Sequence, residues 1–241
     1  MRTKNYLITG ASSGIGRAVL NQLILQGFTV YNIDIVTPQK VFEKEIFIKF
    51  DLSNYMSIDA ILPKDIDFDG VFFNAGIHQS GSIFSQSLDE INKCISINLM
   101  SSIVILKSLV ENIKPGASIV FNGSDQCFVG KTNNFAYGLT KGAIAQITKS
   151  LALDLSPKNI RVNTVCPSTT DTPLYRKAIE KYSLASGIDL ADIEKSEAEE
   201  IPINRVATSE EVANVVIFLL SDKSSFMTGS LVPVDGGYTA R

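Results

Sequence analysis

The octapeptide TGASSGIG, Thr9 to Gly16, stands where a short apolar run, NYLITG, gives way to a helical pattern from about Ile15 to Gln26. A strand that must turn at once into a helix over three glycines leaves few folds open. Gly10, Gly14 and Gly16 let the backbone turn tightly, let a phosphate approach main-chain N–H groups, and let the helix pack close on the strand. The spacing is G-x-x-x-G-x-G, and the Gly-Lys-Ser/Thr ending of a nucleoside-triphosphate loop is missing, which favours a dinucleotide over ATP. A glycine cluster alone also fits a tight turn and nothing more.

Beyond it, β-rich runs alternate with helical ones. FTVYNID, IFIKFD, GVFFNAG, ASIVFNGS, IRVNTVCP and SLVPVDGG read as strands, with long helices expected over about Leu88 to Ile113 and Phe135 to Leu155. Strands apolar nearly throughout, such as Ile119-Val120-Phe121, suit a parallel sheet covered on both faces. An α/β doubly wound fold is expected. At 241 residues and 45% hydrophobic, the chain is ample for one such domain and marginal for two, so residues 1–241 are read as one. TSEEVANVVIFLLSD reads as a helix capped by Thr208, and two short amphipathic helices are expected between Thr172 and Asn204. Inserted after a strand's carboxyl end, that pair reads as a substrate lid, or else as a solvated connection.

A net charge of −3 offers no basic face for nucleic acid, so a small-molecule ligand is the expected partner. The N-terminal stretch lacks a signal-peptide pattern and the longest apolar runs read as too short for a membrane span, so a cytoplasmic protein without a membrane partner is expected. Cys94, Cys127 and Cys166 are far apart in sequence and His78 is the sole histidine; no disulfide or metal site is expected, and the thiols read as ordinary.

Asp34 ends the second strand, where a carboxylate can accept hydrogen bonds from adenosine ribose hydroxyls and repel a 2′-phosphate. With no arginine in YNIDIVTP and Ser13 in the glycine loop, NAD is expected rather than NADP. Asp34 also fits a strand-end acid starting a turn. In NFAYGLTKGAI, Tyr137 and Lys141 share one helix face, which is either chance or a catalytic pair.

With these pieces in order, from about Asn5 to Ala240, the chain resembles the short-chain dehydrogenase/reductase family in its compact single-domain form. TGASSGIG matches the cofactor loop, NAG (Asn74 to Gly76) the motif after the fourth strand, and VDGGYTA the C-terminal ending. Asn98, Ser124, Tyr137 and Lys141 fall where the family's catalytic tetrad would. The resemblance implies a Rossmann-type, seven-stranded parallel sheet in the order 3-2-1-4-5-6-7 with helices on both faces. It implies Tyr137 as general acid/base, Lys141 lowering its pKa and holding the nicotinamide ribose, Ser124 holding the substrate oxygen, and Asn98 a proton-relay water. Cofactor contacts are implied for Gly10, Ser12, Ser13, Gly14, Ile15, Gly16, Asp34, Asp51, Leu52, Asn74, Ala75, Gly76, Pro167, Thr170 and Thr172. Asp51 reads equally as a helix N-terminal acid.

Three departures from the family pattern stand out: Pro167-Ser168 replaces Pro-Gly, Phe73 precedes NAG, and the segment from Thr37 to Asp69 is short. Around the substrate the expected residues are His78, Gln79, Ser124, Asp125, Gln126, Asn133, Asn134, Tyr175 and Arg176. Unpaired polar groups penalise an alkyl substrate, so a sugar, polyol or hydroxy acid is expected. The alternatives are an NADPH-dependent β-ketoacyl carrier-protein reductase and a catalytically idle dinucleotide-binding sensor or scaffold. By resemblance a homotetramer forms through the two long helices.

Overall fold

A computed structural model describes residues 3–240; Met1, Arg2 and Arg241 lie outside the described residues. The strands are β1 (Asn5–Thr9), β2 (Thr29–Asp34), β3 (Glu45–Lys49), β4 (Phe68–Phe73), β5 (Ile113–Asn122), β6 (Arg161–Pro167) and β7 (Leu231–Val234). They form one parallel sheet in the order β3-β2-β1-β4-β5-β6-β7, as expected. The order of successive strands reverses between β1 and β4, and the crevice there, at the strands' carboxyl ends, is where such sheets bind ligands.

The apolar strands supply two cores. Tyr6, Ile8, Phe72 and Val120 pack under α1 (Gly14–Leu25) and α7 (Ser209–Leu220). Leu7, Val71, Ile119 and Phe121 point the other way, onto α3 (Ser101–Leu109) and α4 (Phe135–Leu155), which follow α2 (Leu88–Ile95). Successive side chains leave opposite faces of a strand, and with helices on both sides neither face can be polar. Thr208 caps α7 as expected, with a reciprocal bond from Glu211 back to the Thr208 N–H.

The helix expected over Leu88 to Ile113 is not one α-helix. A π-helical turn, Ser96–Met100, separates α2 from α3, the last turn tightens over Val110–Asn112, and Ile113 already pairs with Phe68 in the sheet. Contrary to the sequence expectation, 88–112 is long and apolar enough to cross a membrane by length and composition. Its Cys94, Asn98, Ile105, Leu106 and Leu109 are instead buried in the protein. The short segment after β3 holds a 3-10 helix, Leu52–Ile61, whose first turn Asp51 caps through Ser53 N–H. The two expected helices of the insertion are α5 (Pro173–Ser186) and α6 (Leu190–Glu199), divided at Gly187, which takes the left-handed backbone (φ +74°).

Phe72 is fully buried in a central strand. Phe72→Ala should lower unfolding free energy by about 3–5 kcal/mol, read from denaturant titration.

Candidate active site

The glycine loop is built by close approach. A Cβ at Gly16 would lie 2.2 Å from the Gly10 carbonyl oxygen, and one at Gly10 would lie 2.9 Å from Ala75 Cα. Asn74 Nδ2 donates to Gly10 O (2.9 Å), so the turn after β4 clamps the turn after β1. At the start of α1, Ser13 is extended and makes no side-chain cap, and the first turn holds no acidic residue. Its free N–H groups and positive dipole end fit a dinucleotide's pyrophosphate. Asp34 closes the other side, accepting from Ser12 N (2.9 Å) and Val36 N (3.0 Å). Arg17, on α1, is tied to buried Glu45 by two contacts of 2.8 and 2.9 Å, and Glu45 also accepts from Asn32 Nδ2. No spacing in the sequence announced that buried triad.

Tyr137 and Lys141 sit on the inner face of α4. Lys141 Nζ stands 5.3 Å from the Tyr137 ring centroid and donates to Asn122 O at 2.7 Å. Ser124 Oγ hydrogen-bonds the Tyr137 hydroxyl and donates to Asp125 Oδ1 at 2.7 Å. Burial pushes the Lys141 ammonium down to about 8 and pushes the Tyr137 phenol well above its ordinary value. In the protein alone burial keeps Tyr137 a neutral phenol. Asn98 lies in the π-helical turn, a distortion frequent at functional sites. Its amide accepts from Ile77 N (2.8 Å) and donates to Ile77 O (3.0 Å) and Thr140 Oγ1 (3.2 Å). It thereby stitches the turn after β4 to α4.

Ser124, Asp125 and Tyr137 line a cavity of about 380 Å³ that reaches from Ile15 and Thr172 to α5 and α6. His78, Ser124, Asp125, Gln126, Asn134, Tyr137, Pro167, Thr170, Thr172 and Tyr175 all line it. Of the other expected substrate neighbours, Gln79 and Asn133 do not line it, and Arg176 is taken by Asp171 and Glu194. Asp51 and buried Leu52 open the 3-10 helix, so Asp51 does act as a helix N-terminal acid. Gly76 leaves room for Asn98 Oδ1, 3.3 Å from where its Cβ would be. Ser168 lines the cavity on ordinary backbone, so that position does not require glycine.

Over residues 10–239 the chain matches the family model described as enoyl-(acyl carrier protein) reductase. The chain belongs to the short-chain dehydrogenase/reductase family. Among solved structures, a short chain dehydrogenase family protein from Francisella tularensis is 54% identical, with full coverage of both chains and a TM-score of 0.97. Thermoplasma acidophilum aldohexose dehydrogenase is 35% identical over 100% of this chain and 95% of that one, with a TM-score of 0.90. Trans-4-hydroxycyclohexanecarboxylate dehydrogenase of Sinomonas cyclohexanicum is 31% identical over 97% of this chain and 92% of its own. This short-chain dehydrogenase/reductase is an NAD(P)-dependent oxidoreductase with a dinucleotide-binding fold.

Sequence reading missed two features of the enzyme. Lys131 and Glu197 line the cavity, brought there by a loop and by α6 with no motif to mark them. Cys127 and Cys166, distant in sequence, bring their sulfurs together beside Gly123, and the neighbouring Cys166 thiol draws the Cys127 thiol below its ordinary value.

The buried ammonium gives a pH signature. Folding lowers the Lys141 value from 10.5 to about 8, so between those values the unfolded chain holds a proton that the folded one has released. Stability of wild type relative to Lys141→Met should therefore rise with pH across that window, by up to about 3 kcal/mol in unfolding titrations.

Proposed function

We propose that the protein exchanges hydride between NAD and a secondary alcohol or ketone, with a small polar hydroxyl compound (sugar, polyol or hydroxy acid) as substrate. The observation that carries this reading is the Tyr137 hydroxyl on Ser124 Oγ, beside the buried Lys141, at the floor of a cavity that leads to the uncapped start of α1. Gly10, Ser12, Ser13, Gly14, Ile15, Gly16, Asp34, Asp51, Leu52, Asn74, Ala75, Gly76, Pro167, Thr170 and Thr172 would hold the dinucleotide, with Tyr137 and Lys141 at its nicotinamide end. When bound, the dinucleotide supplies the hydride acceptor and, oxidised, a positive ring. Tyr137 takes the substrate's hydroxyl proton, or returns it in reduction, and needs added positive charge to become a phenolate at neutral pH. Lys141 contributes that charge when protonated, and its depressed value lets it pass a proton on near neutral pH. Ser124 holds the reacting oxygen. Asn98 would position the relay water near Lys141; its place in a π-helical turn, a distortion frequent at functional sites, supports this role.

NAD is favoured over NADP because Asp34 faces the loop and Arg17 is held by Glu45. A polar substrate is supported by Ser124, Asp125, Gln126 and Asn134 in the cavity lining and by similarity to an aldohexose dehydrogenase and a hydroxycyclohexanecarboxylate dehydrogenase. The helices α5 and α6 would act as the lid. A second reading, reduction of a carrier-protein substrate with NADPH, is favoured by the description of the matching family model, while Asp34 counts against it. Exposed Leu88, Ile103, Phe135, Leu139 and Leu153 on α2, α3 and α4 support a homotetramer, for which light scattering should give four chains.

In a panel of alcohols followed by NADH absorbance, wild type should turn over a polar alcohol with NAD well ahead of NADP. Tyr137→Phe should bind NAD normally and lose between about a hundred-fold and ten-thousand-fold in kcat. A marked NADPH preference favours the carrier-protein reading, and tight NAD binding without turnover an idle binding protein.

A further inference from the structure

The charged groups lining the cavity are Asp125, Lys131 and Glu197. Two carboxylates thus face one ammonium. Asp125 is buried beside Ser124, with its side chain 3% exposed, and Lys131 Nζ stands 2.8 Å from its Oδ2. The same ammonium lies 4.3 Å from the Tyr238 ring centroid. Burial works against the Lys131 charge, but Asp125, Tyr238 and Glu197 outweigh it and hold its pKa above the ordinary value. Lys131 is therefore committed inside the protein. Glu197 reaches the cavity from α6 and accepts from Thr169 Oγ1 at 3.0 Å.

An incoming carboxylate meets this arrangement badly. To pair with Lys131 it must draw the ammonium off Asp125, leaving a buried carboxylate without its counter-ion, and it also approaches Glu197. A neutral hydroxyl needs no such exchange, since it donates to a carboxylate that keeps its partner. Unmet hydrogen-bonding capacity points the same way. The buried Gln126 Oε1 and Tyr175 hydroxyl are without hydrogen-bond partners. A ligand hydroxyl can donate to either oxygen.

We propose that Asp125 and Glu197 select uncharged polyhydroxylated substrates, aldoses or polyols, over their carboxylate-bearing counterparts, with Lys131 serving as an internal counter-ion and not as an anchor for substrate. This rests on the alcohol oxidation proposed at Tyr137, and it narrows the substrate class by removing the hydroxy acids.

The test is NAD-dependent oxidation of an aldohexose and of the hexuronic acid of the same configuration, at about pH 8, above the ordinary histidine range. Wild type should favour the hexose by at least ten-fold in kcat/KM. Glu197→Gln has the same shape and can keep the Thr169 bond; it should narrow that ratio several-fold by raising uronate turnover. Asp125→Asn repeats the test from the other carboxylate. A wild type that oxidises the uronate as well as the hexose, or ratios that move in neither variant, would overturn the proposal. Tyr137-dependent oxidation of other alcohols with neither sugar accepted overturns it while leaving the dehydrogenase reading intact. Absence of any Tyr137-dependent turnover removes both.

Discussion

Everything at the cofactor end of this protein depends on how closely α1 approaches β1 and the turn after β4. The Gly10 carbonyl occupies the space a Gly16 side chain would need, and Asn74 spans the same gap with a hydrogen bond. Without that contact the start of α1 would stand further from the crevice at the β1–β4 switch point. The parallel sheet sets the direction, and the glycines set the distance. Asn74 also accepts from Asn122 Nδ2 (3.0 Å), and Asn122 O receives Lys141, so the loop and the Tyr137 face are tied through three neighbouring strands.

At the other end, burial is the controlling term. It makes Lys141 a weaker base and Tyr137 a weaker acid than in water, so burial shifts both toward their uncharged forms. That is an economical resting state for an enzyme whose cofactor changes charge during turnover. The charged partners lie a shell further out, where Asp125 and Lys131 neutralise each other across the edge of the cavity.

Much of this was legible in the sequence because it rests on local rules. Strand runs apolar on both sides suit a sheet between helices, and three glycines at a strand-helix junction suit a tight turn or a close approach. Tyr137 and Lys141 share a face by helix geometry alone. What stayed hidden depends on contacts between distant segments. Glu45 opens a strand and gives no sign that Arg17, 28 positions earlier, will claim it. Lys131 and Glu197 meet only because a loop and α6 converge on one cavity. The break in the helix after Leu88 was equally silent, since its apolar pattern runs on through Ser96–Met100.

That break acts as a phase shifter. In an α-helix each residue advances about 100° around the axis, so a single period ties every position to the ones before it. A wider turn at Ser96–Met100 slips that phase once. The preceding segment can then follow one register and the following segment another, with Asn98 turned to the site and Ile105 and Leu109 to the core. One helix thus answers to two surfaces whose spacing no uninterrupted helix would match.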